Sequence, residues 1–120
     1  MTPNRALLAC VLAIGSWFAS ACAGATASAI DAYEQGRYPE ALTALRQIER
    51  ARGAAVANDA RYALYRGLTE LALGNAPRAH LWLSAAKEEL ARTPGALDRF
   101  DRGRLDAAWR TLGKMPAQLR

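Results

Sequence analysis

The stretch Gly36-Arg37-Tyr38-Pro39-Glu40-Ala41-Leu42-Thr43-Ala44-Leu45-Arg46-Gln47-Ile48 returns 38 residues later as Gly74-Asn75-Ala76-Pro77-Arg78-Ala79-His80-Leu81-Trp82-Leu83-Ser84-Ala85-Ala86. Glycine, proline, alanine and leucine recur in register, and Ile48 matches Ala86 as an apolar position. This repeat constrains the fold more than any other feature. Glycine takes the left-handed conformation that closes a helix, proline fits the first turn of the next one, and alanine lets two helices approach closely. Upstream, Ala29, Ile30 and Tyr33 precede Gly36 by the same distances that Gly67, Leu68 and Leu71 precede Gly74. Those positions fall on one helical face, and the small residue at Ala29 or Gly67 leaves room for a neighbouring helix. Each unit reads as helix, glycine turn, proline-started helix.

The pattern predicts helices over Ser28–Gln35, Tyr38–Arg52, Asn58–Leu73, Ala76–Arg92 and Asp98–Leu112. Asn58 or Asp59 is the expected N-cap of the third, and Thr93-Pro94-Gly95 stops the fourth. In the last helix Leu105, Ala108, Trp109 and Leu112 recur at i, i+3, i+4 and i+7, with Gly113 as its stop and residues 113–120 as a loose tail. Trp82 and Trp109 are expected to close the core, each offering about 150–250 Å² to bury.

These residues resemble the tetratricopeptide repeat family. Its pattern of small residue, turn glycine, alanine and large apolar residue is met by Ala29, Gly36, Ala41 and Leu45 in one copy. In the other it is met by Gly67, Gly74, Ala79 and Leu83. The resemblance covers Ser28 to Arg92 and implies an all-α fold: two tetratricopeptide-like helix-turn-helix repeats and a C-terminal capping helix, together residues 28–112. Two departures stand out. The spacing is 38 instead of the family's usual 34, which places the extra residues in the Gly53–Ala57 connection, and Arg66 and Glu70 occupy sites the family often fills with apolar residues. Stacked arrays of this kind usually need about three repeats, so two repeats and one helix leave little redundancy.

Before the repeats comes a different kind of segment. Met1 to Arg5 carries one basic residue, Ala6 to Ala19 is apolar, and small residues follow, which is the layout of an export signal. An apolar stretch this short is marginal for a bilayer span, which takes about 20 residues. Ala19-Ser20-Ala21-Cys22 resembles the lipobox of bacterial lipoproteins, with Ala19 where leucine is usual. The resemblance implies a signal peptide over 1–21, lipid attachment and cleavage at Cys22, and a membrane anchor there. Alanine after the cysteine is similar to the arrangement that permits outer-membrane delivery in Gram-negative relatives. Residues 22–27 then read as the lipidated cysteine and a tether, the five residues after Cys22 reaching roughly 20 Å at full extension. Two other readings stay open: ordinary cleavage after Ala21-Cys22-Ala23 or Ala25-Thr26-Ala27, or retention of Ala6 to Ala23 as an uncleaved anchor. Because Cys10 lies in the segment that would be removed, Cys22 has no intrachain partner and a disulfide-stapled fold is excluded.

Composition narrows the function. The formal charge is +5, and losing Arg5 with the leader leaves +4. Basic residues are interspersed with acids, as from Arg99 to Asp106, instead of gathered in a nucleic-acid-binding motif, so no nucleic acid is expected as a partner. A weak attraction to anionic head groups is the minor alternative. His80 is the only histidine and no cysteine stands near it with metal-ligand spacing, so no metal or cofactor is expected and His80 reads as a surface or rim residue. Asp98, Asp101, Glu88 and Glu89 read as capping or solvated carboxylates. With no nucleophile elbow and no phosphate-binding glycine loop, the chain is not expected to be an enzyme.

What the repeat resemblance implies is binding of a protein or peptide through a concave surface lined by the first helix of each repeat. By position, Tyr33, Glu34, Arg61, Tyr65 and Leu68 are the candidate partner-binding residues. Tyrosine and arginine combine large contact area with directed hydrogen bonds. The expectation is a membrane-tethered, exported adaptor in the cell envelope, at the outer membrane facing the periplasm. The alternative is a structural subunit of a larger envelope assembly, with self-association through an exposed repeat end. An enzyme or small-ligand-binding protein would need a pocket with convergent polar groups.

Overall fold

The computed structural model describes residues 24–119, so the signal peptide expected over 1–21 and the lipidation expected at Cys22 lie outside the described residues. Among the described residues the architecture is all-helical, with no strand. It consists of α1 (described over 24–34), α2 (Tyr38–Arg52), a 3-10 turn (Gly53–Asn58), α3 (Ala60–Ala72), α4 (Ala76–Arg92), α5 (Arg99–Lys114) and a final 3-10 turn (Ala117–Leu119). No helix among the described residues is long and apolar enough to cross a membrane.

The sequence repeat is a repeat of hydrogen bonds. At the end of α1, Gly36 N–H donates to the Tyr33 carbonyl at 2.9 Å and Arg37 N–H to the Ala32 carbonyl at 2.9 Å. At the end of α3, Gly74 donates to Leu71 at 3.0 Å and Asn75 to Glu70 at 2.9 Å. This paired closure is the Schellman motif, which needs a left-handed residue between the two donors. Gly36 and Gly74 supply it, with φ of 75° and 80°. Pro39 and Pro77 then sit in the first turns of α2 and α4, where a missing N–H costs no helical bond.

The other helix starts are set by side chains. Asp59 accepts from Tyr62 N–H at 3.1 Å, Asn75 from Arg78 N–H at 3.4 Å and Asp98 from Asp101 N–H at 2.8 Å. Each is an N-cap that satisfies a donor the helix cannot. Several boundaries differ from the sequence expectation; α3, expected over Asn58–Leu73, spans Ala60–Ala72, because Asn58 ends the 3-10 turn and Asp59 is the cap. Residues 24–27, expected as part of a tether, are helical, in keeping with the high helix propensity of alanine. The last helix runs through Gly113 to Lys114, and residues 117–119, expected to be loose, form a 3-10 turn. Gly113 therefore does not stop the helix; its end falls one residue before Met115-Pro116, where proline disfavours helical geometry in the residue it follows.

Packing centres on α3. Every residue from Tyr62 to Glu70 is buried, so this helix is covered on all sides instead of along one stripe. The larger core joins α3, α4 and α5 through Leu64, Leu68, Leu83, Leu105 and Leu112, with Ile30 of α1. A smaller cluster of Ala29, Leu45, Ile48, Val56 and Tyr62 joins the first hairpin to α3. Each fully buried leucine contributes about 1.5–3 kcal/mol relative to exposure. Trp82 packs against both clusters and Trp109 against the larger, but each stays half-buried, so they border the core and do not close it. The α3–α4 approach depends on Gly67: a Cβ there would lie 2.6 Å from Leu83 Cγ and 3.1 Å from its backbone nitrogen.

Arg66 and Glu70 are the polar surprise of α3, at 1 % exposure each. Arg66 Nε donates to Glu70 at 3.3 Å, and one terminal nitrogen donates to Glu49 of α2 at 2.6 Å and to the Tyr62 hydroxyl at 3.1 Å. The Tyr62 hydroxyl in turn donates to the Leu45 carbonyl at 2.6 Å. Burial works against the charge on Arg66, yet Glu49 and Tyr62 outweigh it and hold its pKa above the ordinary value. The departure from an apolar pattern is thus a buried polar network that ties α3 to α2. The ring of Trp82 covers it, 5.0 Å from the guanidinium carbon.

Candidate functional site

Four of the five expected binding residues meet in one cluster. Tyr33 and Glu34 lie in the last turn of α1, Arg61 and Tyr65 in the opening turns of α3, and α5 contributes residues from its N-terminal half. The turn glycine after α1 and the Asp59 and Asp98 caps on α3 and α5 set where these turns begin and end. One α-helical turn brings residues three or four apart onto one face. Phe100, Asp101 and Arg104 therefore face the same way from α5, as Arg61 and Tyr65 do from α3.

The geometry is layered. The buried Tyr65 hydroxyl donates to Asp101 Oδ1 at 2.7 Å and accepts from Arg104 at 3.4 Å. Asp101, with a side chain 5 % exposed, also faces Arg61 Nε at 3.6 Å. Above this pair the Arg104 guanidinium meets Glu34 with both terminal nitrogens, at 2.7 and 2.8 Å, the two-pronged geometry that suits arginine and carboxylate. Its carbon lies 4.5 Å from the centroid of the Phe100 ring, 5.5 Å from that of Tyr33 and 5.7 Å from that of Tyr65. Tyr33 meets Tyr65 edge to face at 5.6 Å. Arg104 is therefore held among three aromatic rings, with Arg61 exposed beside them.

Electrostatics follows from burial. Desolvation, reinforced by Asp101, pushes the Tyr65 phenol above its usual range, so the hydroxyl stays a protonated donor. Desolvation raises Tyr33 as well. The hydrogen bond from Arg104 holds Glu34 below its usual range, and the same bond raises Arg104. The resulting surface combines fixed charges with ring faces, and Phe100 extends it at 63 % exposure. Phe100 and Arg104 also line an open concavity of about 590 Å³ along α5 with Arg99, Gly103 and Ala107.

Leu68 is not part of this surface. It is buried in the larger core, where the all-round burial of α3 places it, and Tyr65, at 2 % exposure, belongs to that core too and supports the cluster from beneath instead of presenting surface. Asp101, Arg104 and Phe100 were missed, because the Arg99–Asp106 run reads in sequence as mixed surface charge. The local signal was the i, i+3 and i+4 spacing that sets Arg104 one helical turn from Asp101 and Phe100. Asp98 does cap its helix, whereas Asp101 is buried and paired with Tyr65. His80 is exposed and lies against Trp109, with ring centroids 5.2 Å apart. Among the described residues no group of three or more His, Cys, Asp or Glu side chains is placed to hold a metal ion.

The chain matches no known family model, no curated protein and no solved structure.

Proposed function

We propose that this chain is an exported, lipid-anchored adaptor of tetratricopeptide type that binds a protein or peptide partner on the face shared by α1, α3 and α5. The observation that carries this reading is the convergence of Tyr33, Phe100 and Arg104 from α1 and α5 onto one surface with an exposed aromatic edge, over the buried ring of Tyr65 from α3. Aromatic and arginine side chains held rigid by their own contacts lose little entropy when a partner docks, and such residues dominate binding energy at interfaces. The two matching glycine turns support the repeat assignment. The leader and Cys22 support the anchor. Acyl chains on Cys22 would add about 0.8 kcal/mol per buried methylene and raise the local concentration of the domain at the membrane.

Two measurements test this. A photo-crosslinking residue at Phe100, in cells, is expected to give a discrete adduct that disappears on Arg104→Ala; the same residue at Thr111 of α5 is expected to give none. Equal adducts from both positions would overturn the binding face. Metabolic labelling with palmitate is expected to mark the wild type and not Cys22→Ala. Label retained in the variant would remove the anchor at that residue.

A further inference from the structure

A second concavity, formed by different residues, lies between α2, α3, α4 and the 3-10 turn. It is an open depression of about 760 Å³, within the size range of ligand sites. The Gly53–Asn58 turn packs against α2, α3 and α4 and supplies part of the lining. The extra residues that lengthen the repeat from the family's usual spacing are therefore the ones that shape it.

Its chemistry is one-sided. Arg46 and Arg50 from α2 and Arg78 from α4 line it, and all three are exposed. None of them forms an ion pair among the described residues. Glu49 is its sole acidic lining residue and is already engaged by the buried Arg66 at 2.6 Å. Arg46 and Arg50 stand one helical turn apart, where like charges repel unless an anion lies between them. The lining is not purely polar: Ala54, Ala57 and the half-buried Trp82 contribute apolar surface, over the buried Val56.

We infer that this depression binds an acidic peptide segment, its carboxylates on Arg46, Arg50 and Arg78 and an apolar side chain against Ala57 and Trp82. The guanidinium fork matches a carboxylate in two-point geometry. A concave site with apolar lining suits a group that projects from a chain, whereas a bilayer surface is met by a flat or convex basic patch. This site does not depend on the α1–α3–α5 surface, with which it shares none of the residues named there.

The test uses the full chain in mild detergent and a short fluorescent peptide of alternating glutamate and leucine, followed by polarisation. The peptide is expected to bind, to weaken as salt rises, and to lose at least about tenfold in affinity in Arg46→Gln/Arg50→Gln/Arg78→Gln. A variant with equal charge loss elsewhere, Lys87→Gln/Arg110→Gln/Lys114→Gln, is expected to bind as the wild type does. Unchanged melting temperatures in both variants would show that folding is not the cause. As a second variant, Arg46→Glu/Arg50→Glu is expected to favour a lysine and leucine peptide. No binding of the acidic peptide, equal losses in the two glutamine variants, or stronger variant-sensitive binding to phosphatidylglycerol vesicles than to the peptide would overturn the proposal.

Discussion

The two helical hairpins turn in the same way and are stabilised differently. Gly36 and Gly74 close α1 and α3 with equivalent hydrogen bonds, and Leu45 and Leu83 are both fully buried at equivalent positions. At the positions where α3 carries Arg66 and Glu70, 38 residues earlier α1 carries Ser28 and Ala32. Where α3 has Gly67 against Leu83, α1 has Ala29. The first hairpin lies at one side with an exposed outer face, so small residues suffice; α3 is surrounded and must satisfy every group it buries. A repeat can thus conserve its turn while its neighbours decide its packing.

The sharpest way to break this comparison is at Arg66. Arg66→Ala leaves Glu70 charged and buried and is expected to destabilise the fold by about 3–5 kcal/mol. Ser28→Ala at the matching place in α1 should stay within about 0.5 kcal/mol. Chemical denaturation of both variants checks it. The double variant Arg66→Met/Glu70→Met should regain most of the loss, because an apolar pair of similar volume needs no partner.

Next in size is the close approach. Gly67→Ala is expected to cost about 1–3 kcal/mol, since Leu83 and its backbone must move. Ala29→Gly, which creates no clash, should cost only about 0.5–1 kcal/mol through backbone entropy. Equal losses at the two positions would mean that the two hairpins pack alike after all.

The shared turn gives smaller and matched effects. Gly36→Ala and Gly74→Ala each force a side chain into the left-handed region at open positions, so each should cost about 1–2 kcal/mol. A large difference between them in thermal melts would show that one turn is supported by more than its own bonds.

The smallest effects near neutrality are those of pH. Tyr62 and Tyr65 have folded-state pKa values above the ordinary 10.0, chiefly through burial. Their contribution is fully present below pH 10 and is lost as pH rises through the folded values, because the unfolded chain releases these protons first. Glu34 has the opposite sign: lowered by Arg104, it stabilises above its ordinary 4.5 and loses that contribution as pH falls. Its exposure keeps the acid effect well below the alkaline one. Stability measured against pH, for wild type and for Tyr65→Phe, is expected to show a weaker alkaline decline in the variant.

Much of the fold was legible because its signals are local. Turn glycines, first-turn prolines and the caps Asp59 and Asp98 act within a few residues, and α2 and α4 begin and end where the pattern places them. Tyr33, Glu34, Arg61 and Tyr65 stand in the first helix of each hairpin at positions that the 38-residue repeat does not match, and it is packing that brings them together. Leu68 lies apart from that cluster and Tyr65 lies buried beneath it, since nothing local says that α3 is covered all round. The partners that complete the site were not legible. Tyr65 and Asp101 are 36 residues apart, and Glu34 and Arg104 are 70 apart.

By itself the sequence determined the number of helices, the turn chemistry that joins them and the presence of a connection over Gly53–Asn58 between the two hairpins, since each depends on backbone preferences acting over one or two turns. Tertiary structure alone decided that this connection borders an arginine-rimmed depression, that Arg66 and Glu70 form a buried network with Glu49, and that Arg104 lies among three rings. Those outcomes depend on which helices meet, and a charge written as surface becomes a partner only when packing brings its counterpart within hydrogen-bond distance.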